Sequence, residues 1–402
     1  MFEIPIVIIS YLLLSMQGIG NYLLNSGPLS AWKQVLIGLL FIYALVRYAS
    51  TRGALIIFCL LVSAVLIVNT LTLGRPLAPT IYNIFFFIGW APFFAFAQSI
   101  DLENRAKLGR FFVCLIIFSA VGLWLQLTTH LLDFLKLTLE AEIRDKTGEA
   151  QRFSLVYVTS TGVMPTLAGF YCLALSARIG TLWQILATVA LIVSAIPTAS
   201  LAAFVMLACS LFAFAVVARG WGRLLLIVLA GVFALAAPMF QSDDVAKQLA
   251  RITDNTAESQ SNTGRRDLWQ QSVAILSDSS PREAILGHGI GTTNGNLGAG
   301  ALYTHGESSY FQAAIEGGLL GLVLRFLPLY LLFVASTYVP NRSMYWLYGI
   351  GIGICCAVAP VFALYGLQCS VGMVAGYTAG RRRRLQRARQ ASTPMPEIRA
   401  SA

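Results

Sequence analysis

Charge is scarce in this sequence, and that scarcity excludes several classes of protein. Charged residues make up 11% of the 402 positions, whereas a soluble domain carries about 25%. Hydrophobic residues make up 57%, and apolar runs of membrane length recur along the chain. These two features exclude a chain of ordinary soluble domains and predict an all-α integral membrane protein.

Several chemical signatures are also missing. The seven cysteines all fall inside apolar runs, which excludes a disulfide framework in the loops and leaves them as packing residues. The sequence has no GxxxxGK[ST] phosphate loop, no HExxH and no His/Cys cluster. Its start has neither a basic region nor a small-residue cleavage site, so we interpret residues 4–20 as a first span rather than a signal peptide.

The apolar runs predict about twelve transmembrane helices. They lie at roughly 4–20, 33–46, 54–73, 81–98, 109–128, 155–176, 181–197, 199–217, 222–240, 310–336, 344–359 and 361–379. Residues 344–379 are ambiguous, because they are long enough for two short spans, with Pro360 as the break between them.

The positive-inside rule resolves both this ambiguity and the orientation. With twelve spans, the short loops on one side contain Arg47, Arg105, Arg178, Arg342 and the arginine-rich tail. We therefore expect both termini in the cytoplasm. This topology accounts for the net charge of +10 without nucleic-acid binding.

The topology divides the chain into four parts. Residues 1–240 form the first nine spans with an outer loop near 129–154, 241–309 form one large outer loop, 310–379 form three further spans, and 380–402 form a basic, disordered cytoplasmic tail. In the large loop, DLWQQSVAILSD places four apolar side chains near one face and predicts an amphipathic helix at the membrane surface.

The large loop and its junction with the next span hold the candidates for chemistry. His305 and Glu307 immediately precede an apolar span, a position that suits a general base which is polarised but shielded from bulk water. Glu316 lies inside that span and is either functional or a local cap, because buried carboxylates are costly. Arg325 either extends to the membrane surface or pairs with a lipid headgroup. The loop cations form either a solvated surface or a site for a phosphate-bearing substrate.

Four short motifs, in order, resemble the O-antigen ligase/polymerase superfamily of bacterial membrane glycan enzymes. GRRDLW at 264–269 is similar to the family's G-R-x-x-x-W, and LGHGIG at 286–291 is similar to its L-G-x-G-x-G turn. SYFQ at 309–312 and EGGLLG at 316–321 are similar to its final S-Y-L-Q and E-x-G-x-x-G. Arg152 resembles the arginine before the family's middle outer-facing helix.

The resemblance implies a GT-C-like membrane fold and a glycosyl transfer at the periplasmic face of the bacterial inner membrane. The implied donor is a glycan on a polyprenyl diphosphate, which is already a good leaving group, so no nucleotide, metal or other cofactor is implied. Membrane lipids, a chain-length regulator and a flippase are the implied partners.

The resemblance also implies roles for particular residues. Glu307, with His305, would accept the proton of the acceptor hydroxyl. The implied diphosphate-binding residues are Arg152, Arg265 and Arg266, and Arg265 would also neutralise the charge that develops on the leaving group. The weaker candidates for substrate binding are His288, Tyr310 and Glu316.

One departure from the family pattern bears on the reaction. The ligases usually carry a histidine eleven residues before the first glycine of the G-x-x-G, where this chain has Glu307, with His305 two residues earlier. This favours a polymerase of O-antigen or exopolysaccharide repeat units over a ligase that transfers the glycan to lipid A core.

A transporter or flippase is the alternative from another class. It explains the spans equally well, but it predicts functional polar residues near the bilayer midplane. Apart from Glu316 and Arg325, the charged residues of the predicted spans are confined to the first two residues of a span, which favours an enzyme at the outer surface. A scaffold without chemistry leaves the ordered motifs unexplained.

Overall fold

The computed structural model describes residues 3–15, 31–48, 53–129, 160–198, 200–217, 260–293, 308–359, 361 and 364–392, and within them all regular structure is helical. The helices are α1 (Glu3–Ser15), α2 (Trp32–Tyr48), α3 (Gly53–Thr72), α4 (Leu77–Ile88), α5 (Ala91–Ala97), α6 (Ala106–Thr129), α7 (Ser160–Ser176), α8 (Thr181–Thr198), α9 (Leu201–Val217), α10 (Gln260–Ser277), α11 (Pro281–Leu286), α12 (Ser309–Ser336), α13 (Arg342–Val358) and α14 (Tyr365–Ser392).

Five of the described stretches are long and apolar enough to cross a membrane. They are Gly53–Thr72, Leu77–Ala97, Ala106–Thr129, Thr181–Thr198 and Ser309–Ser336. Shorter apolar helices accompany them, so the chain is a multi-pass membrane protein.

Eleven of the twelve predicted spans overlap described helices, and the remaining one, 222–240, lies outside the described residues. Helix α13 ends at Val358 and α14 begins at Tyr365. Residues 344–379 therefore hold two helices, as predicted. All seven cysteines lie in described helices and are free, and five of them are buried as packing residues, whereas Cys209 is partly buried and Cys114 is exposed on the helix surface.

The core of the bundle includes a close contact between α5 and α14. Gly372, Gly376 and Gly380 recur every four residues along one face of α14. A Cβ at these positions would lie between 2.2 and 2.4 Å from backbone oxygens of α5 and its two flanking residues. The glycines are thus required for this approach, which resembles the small-residue packing common between membrane helices.

Ion pairs hold one end of the bundle together. Glu103, which lies between α5 and α6, pairs with Arg178 at 3.0 Å and also pairs with Arg381 of α14. Arg382 lies over the Tyr338 ring, with its Cζ 4.0 Å from the ring centroid. We call this the basic end. Arg178, Arg381 and Arg382, which the positive-inside rule assigns to one side, therefore lie at one end of the bundle, and the side of the membrane that this end faces stays a prediction.

The described part of the large loop lies at the opposite end, which we call the loop end. Helix α3 ends there, and Asn69 donates hydrogen bonds to the carbonyls of Leu286 and Gly287, at 3.2 and 3.3 Å. The part of α12 that follows Gly318 runs from the loop end towards Arg382, which donates to the carbonyl of Val334 at 3.3 Å.

Helix α12 is a hairpin, which corrects the prediction of one continuous span at 310–336. Gly318 has φ 58° and ψ −150°, a backbone conformation that is not helical. The rings of Tyr310 and Phe326 stack 4.5 Å apart, although their Cα atoms would be about 24 Å apart in a straight helix. A short arm (309–317) therefore folds back along a long arm (319–336), and the long arm, at about 27 Å, is the part that can cross a membrane.

Helix α14 extends beyond the predicted span. The segment from 380 onwards was predicted to be disordered, but it is helical as far as Ser392, so that prediction is wrong for residues 380–392. Arginine is a good helix former. Tertiary contacts also hold the first turns, since Arg381 pairs with Glu103 and Arg384 donates to the carbonyl of Gln98 at 3.4 Å.

Candidate functional site

A turn rich in glycine follows the short helix α11. Ser280 and Glu283 form a capping box at the start of α11, and the helix ends at Gly287, which has φ 75°. Gly289 and Gly291 also have positive φ, at 104° and 87°. Glycine adopts these values without the steric cost that a Cβ imposes. We call residues 287–293 the glycine turn.

The glycine turn and the bend of α12 fit together through their backbones. The His288 amide donates to the carbonyl of Ile315 at 2.8 Å, and the Gly289 amide donates to the carbonyl of Glu316 at 3.2 Å. A Cβ at Gly287 would lie 2.3 Å from the Glu316 carbonyl oxygen, and a Cβ at Gly318 would lie 2.5 Å from the Ile285 carbonyl carbon. The two glycine motifs found in the sequence are therefore one structural unit.

The Glu316 carboxylate completes this unit. Its side chain belongs to a residue that is only 2% exposed, and it accepts hydrogen bonds from the Thr293 hydroxyl and from the Thr293 amide, the latter at 3.4 Å. The Gly291 amide also donates to it. Because the turn uses the carboxylate in this way, the geometry gives Glu316 a part in holding the loop. Its predicted contact with substrate stays a prediction.

Helix α3 contributes polar residues that the sequence analysis missed. Besides the bonds from Asn69, the Thr70 hydroxyl accepts from the Ile290 amide at 3.0 Å. Arg282 donates to Asn69 Oδ1 at 3.0 Å and to the Thr72 hydroxyl at 2.8 Å. The sequence does contain a signal for these residues. The cluster Asn-Thr-Leu-Thr at 69–72 places three polar side chains at the end of an apolar run.

His288 lies in the glycine turn with both ring nitrogens engaged. Its Nε2 is 2.9 Å from Ser279 Oγ and its Nδ1 is 3.3 Å from Glu283 Oε1. Hydrogen bonds from the Ser280 side chain and amide hold the pKa of the Glu283 carboxyl below its ordinary value of 4.5. His288 therefore joins the end of α10 to α11, and its predicted contact with substrate stays a prediction.

The other predicted residues are placed in part. Arg265 and Arg266 lie in the first turns of α10, where Arg266 is exposed and the side chain of Arg265 lies outside the described residues. Arg152, His305 and Glu307 also lie outside them. Tyr310, at the start of the short arm, donates to the carbonyl of Gly353 at 3.1 Å.

Helix α10 confirms a helix in the segment that was predicted to be amphipathic, and it begins earlier than expected. Its Trp269 and Val273 are 37% and 55% exposed. The Trp269 ring lies 6.3 Å from the ring of Phe311 in the short arm. This contact brings the GRRDLW motif next to the SYFQ motif.

Arg325 lies in the long arm and is fully buried. Its Nη1 donates to Gln312 Oε1 at 3.1 Å, its Nε donates to the carbonyl of Phe86 at 3.3 Å, and its Cζ lies 4.7 Å from the centroid of the Phe87 ring. The hypotheses that it extends to the membrane surface or pairs with a lipid headgroup are therefore wrong. A guanidinium with these neighbours ties the two arms of α12 to α4.

The fold and the site together define a class, a multi-pass α-helical membrane protein whose polar loop is bound to the helices at one end. A family model described as O-antigen ligase matches residues 182–326. The matched region includes α8, the glycine turn and the hairpin of α12 as far as Phe326. This match confirms the predicted resemblance to the O-antigen ligase/polymerase superfamily over residues 182–326. No curated protein matches the chain.

Proposed function

We propose that the protein polymerises oligosaccharide repeat units carried on polyprenyl diphosphate, by glycosyl transfer at the periplasmic face of the bacterial inner membrane. The contact between Trp269 and Phe311 carries this proposal. Arg265 precedes Trp269 by four residues, which is about one helical turn, and Glu307 precedes Phe311 by four residues. The contact thus joins the segment with the diphosphate-binding candidates to the segment with the candidate base.

In the proposed reaction, Arg265, Arg266 and Arg152 bind the donor diphosphate and stabilise the negative charge that develops as it leaves. Glu307, with His305, accepts the proton of the attacking sugar hydroxyl. Arginines can supply this electrostatic stabilisation without a metal, so we expect the reaction to proceed in the presence of a chelator.

The glycine turn and Glu316 have a structural part in the proposed enzyme. The Glu316 carboxylate accepts from Thr293, and the His288 ring contacts Ser279 and Glu283. Contact of Glu316 or His288 with the substrate stays a prediction.

A ligase that transfers the glycan to lipid A core is the second candidate, and the family match supports it equally. A transporter is less well supported. The charged groups described within α12 are engaged by the protein itself, since Glu316 accepts from Thr293 and Arg325 donates to Gln312. Neither is free to coordinate a solute in the manner expected of a transporter.

A reconstitution assay tests the proposal. Purified protein in proteoliposomes would receive lipid-linked repeat units from the native host, with chelator and without nucleotide. We expect a ladder of longer lipid-linked glycans from the wild type, and at least a hundredfold lower rate from Glu307→Ala and Arg265→Ala, by the usual magnitudes for a base and an electrostatic contact, about 10² each.

Arg382→Gln is the matched control, because it removes a partly exposed arginine at the basic end. It should form the ladder at the wild-type rate. Transfer only after addition of lipid A core would show a ligase instead. If folded protein transfers to neither acceptor, the enzyme proposal fails and transport becomes the better hypothesis.

A further inference from the structure

Arg325 is a charged residue in an apolar segment, where its burial costs free energy. It is 0% exposed, and burying a guanidinium is unfavourable unless its charge and its N–H groups are compensated. The electrostatic attraction of Glu316 compensates part of the charge. The hydrogen bonds to Gln312 and to the carbonyl of Phe86 compensate part of the polarity.

These contacts fix the short arm relative to two other elements. Gln312 lies in the short arm, Arg325 in the long arm and Phe86 in α4. The guanidinium therefore ties the short arm both to the long arm and to a separate helix. A planar group with several donors in fixed directions suits such a junction better than a lysine does.

The start of the short arm is held on its other side by α13. The hydroxyls of Ser308 and Ser309 donate to the carbonyls of Cys356 and Ala359, both at 3.1 Å. Ser308 directly follows Glu307 in the sequence. The short arm also carries Phe311, so a shift of the arm would move Phe311 relative to Trp269 of α10.

We propose that Arg325 is a positioning residue for the transfer reaction: through Gln312 it sets the position of the short arm, and thereby the contact of Phe311 with Trp269 that joins the two candidate segments. This inference rests on the proposed function. It assigns no contact between Arg325 and the substrate.

Steady-state kinetics in the reconstitution assay test it. Gln312→Leu removes the oxygen that accepts from Arg325 but keeps a side chain of similar volume. Arg325→Lys keeps the positive charge but loses the several N–H donors of the guanidinium. We expect each to lower kcat at least about tenfold and to change KM less than about twofold, because misalignment of the two candidate segments affects the transition state rather than ground-state binding. Gln312→Glu, which keeps an acceptor for Arg325, should retain kcat within about twofold.

A labelling experiment reports the position of the arm itself. Ser309 is 0% exposed, so a cysteine there, in a Cys114→Ser background, should react slowly with a water-soluble maleimide. We expect faster labelling at position 309, read by peptide mass spectrometry, when Gln312→Leu is added. Arg382→Gln, which removes an arginine that also lies over an aromatic ring, should change neither kcat nor labelling.

The outcomes separate the two proposals. If the wild-type protein forms no ladder, the proposed function is refuted. If the wild type is active and folded Gln312→Leu keeps its kcat, loses activity only through KM, or loses kcat without faster labelling, then the positioning role is refuted. Should Gln312→Leu fail to fold, the comparison of Gln312→Glu with Arg325→Lys decides, and equal kcat values for these two variants would also refute it.

Discussion

At Gly287 the backbone has φ 75°, and the space where a Cβ would stand is filled by the carbonyl of Glu316, 2.3 Å away. Gly74 has a nearly identical φ of 74° but has nothing within 4 Å of that place. The two glycines thus share a positive φ but differ in the space around them, and Gly287, with ψ 176°, also lies in a region that is essentially restricted to glycine.

The first prediction compares alanine at these two positions. Gly74→Ala should lower the free energy of unfolding by roughly 1 kcal/mol, through backbone strain alone. Gly287→Ala should lower it by about 2–4 kcal/mol, because strain and overpacking add. Thermal unfolding in detergent measures both, and equal melting temperatures for the two variants would contradict the close fit of the glycine turn with the α12 bend.

At this scale the sequence indicated which residues matter but not what they contact. Both glycine motifs were recognised, and LGHGIG was recognised as similar to a glycine-rich turn of the family. The structure adds that Gly287 of this turn lies against the carbonyl of Glu316. The pairing is between segments almost thirty residues apart, and no local pattern encodes it. The roles of Glu307 and His305 stay predictions, because both lie outside the described residues.

At the scale of the element, the start of α11 depends on protonation. The Ser280 hydrogen bonds that lower the pKa of Glu283 stabilise the ionised carboxylate in the folded state. A lowered folded pKa contributes stability that is fully present above the ordinary value of 4.5 and is lost as pH falls through the folded value.

The second prediction follows from that sign. Between about pH 6 and pH 3, wild-type protein should lose melting temperature faster than Glu283→Gln, since the variant has no carboxylate to protonate. At pH 6 the variant should be the less stable of the two. Thermal unfolding at a series of pH values tests this, and parallel curves for the two proteins would show that the ionised carboxylate of Glu283 stabilises the fold no more than a neutral amide does.

The elements were predicted well where composition alone decides them. Apolar length predicted the described helices outside the large loop, and Pro360 correctly suggested two helices in 344–379. Hydropathy could not reveal the hairpin in α12, because it reports how apolar a segment is and carries no information on whether the chain reverses within it. A single glycine, Gly318, reverses the chain. The helical extension of α14 was missed because its charged composition suggested a solvated tail, whereas Glu103 anchors it.

At the scale of the whole molecule, the two ends of the bundle differ in charge and content. The basic end is defined by Glu103, Arg178 and Arg381, and the loop end by Asn69, the glycine turn and the α12 bend. The long arm of α12 joins them. Which end faces the cytoplasm stays a prediction from the positive-inside rule.

The third prediction tests that topology. Single cysteines at Gly180 and at Asp267, two exposed positions at opposite ends, would be introduced with Cys114 replaced by serine. In intact cells whose outer membrane has been permeabilised, an impermeant maleimide should label position 267 and spare position 180 until the inner membrane is broken. The reverse pattern would invert the orientation, and labelling of both positions in intact cells would contradict a single orientation.

The glycine turn has a consequence for the continuity of the chain. Residues 260–293 are attached to α3 through Asn69 and to α12 through Glu316, whereas the hairpin that begins at Ser308 is attached to α13. If the chain were cut between Thr293 and Ser308, the segment before the cut would keep its contacts with α3 and α12, and the segment after it would keep its contact with α13. The protein should therefore tolerate being made as two separately expressed polypeptides, one ending after Thr293 and the other beginning before Ser308, which would reassemble in the membrane.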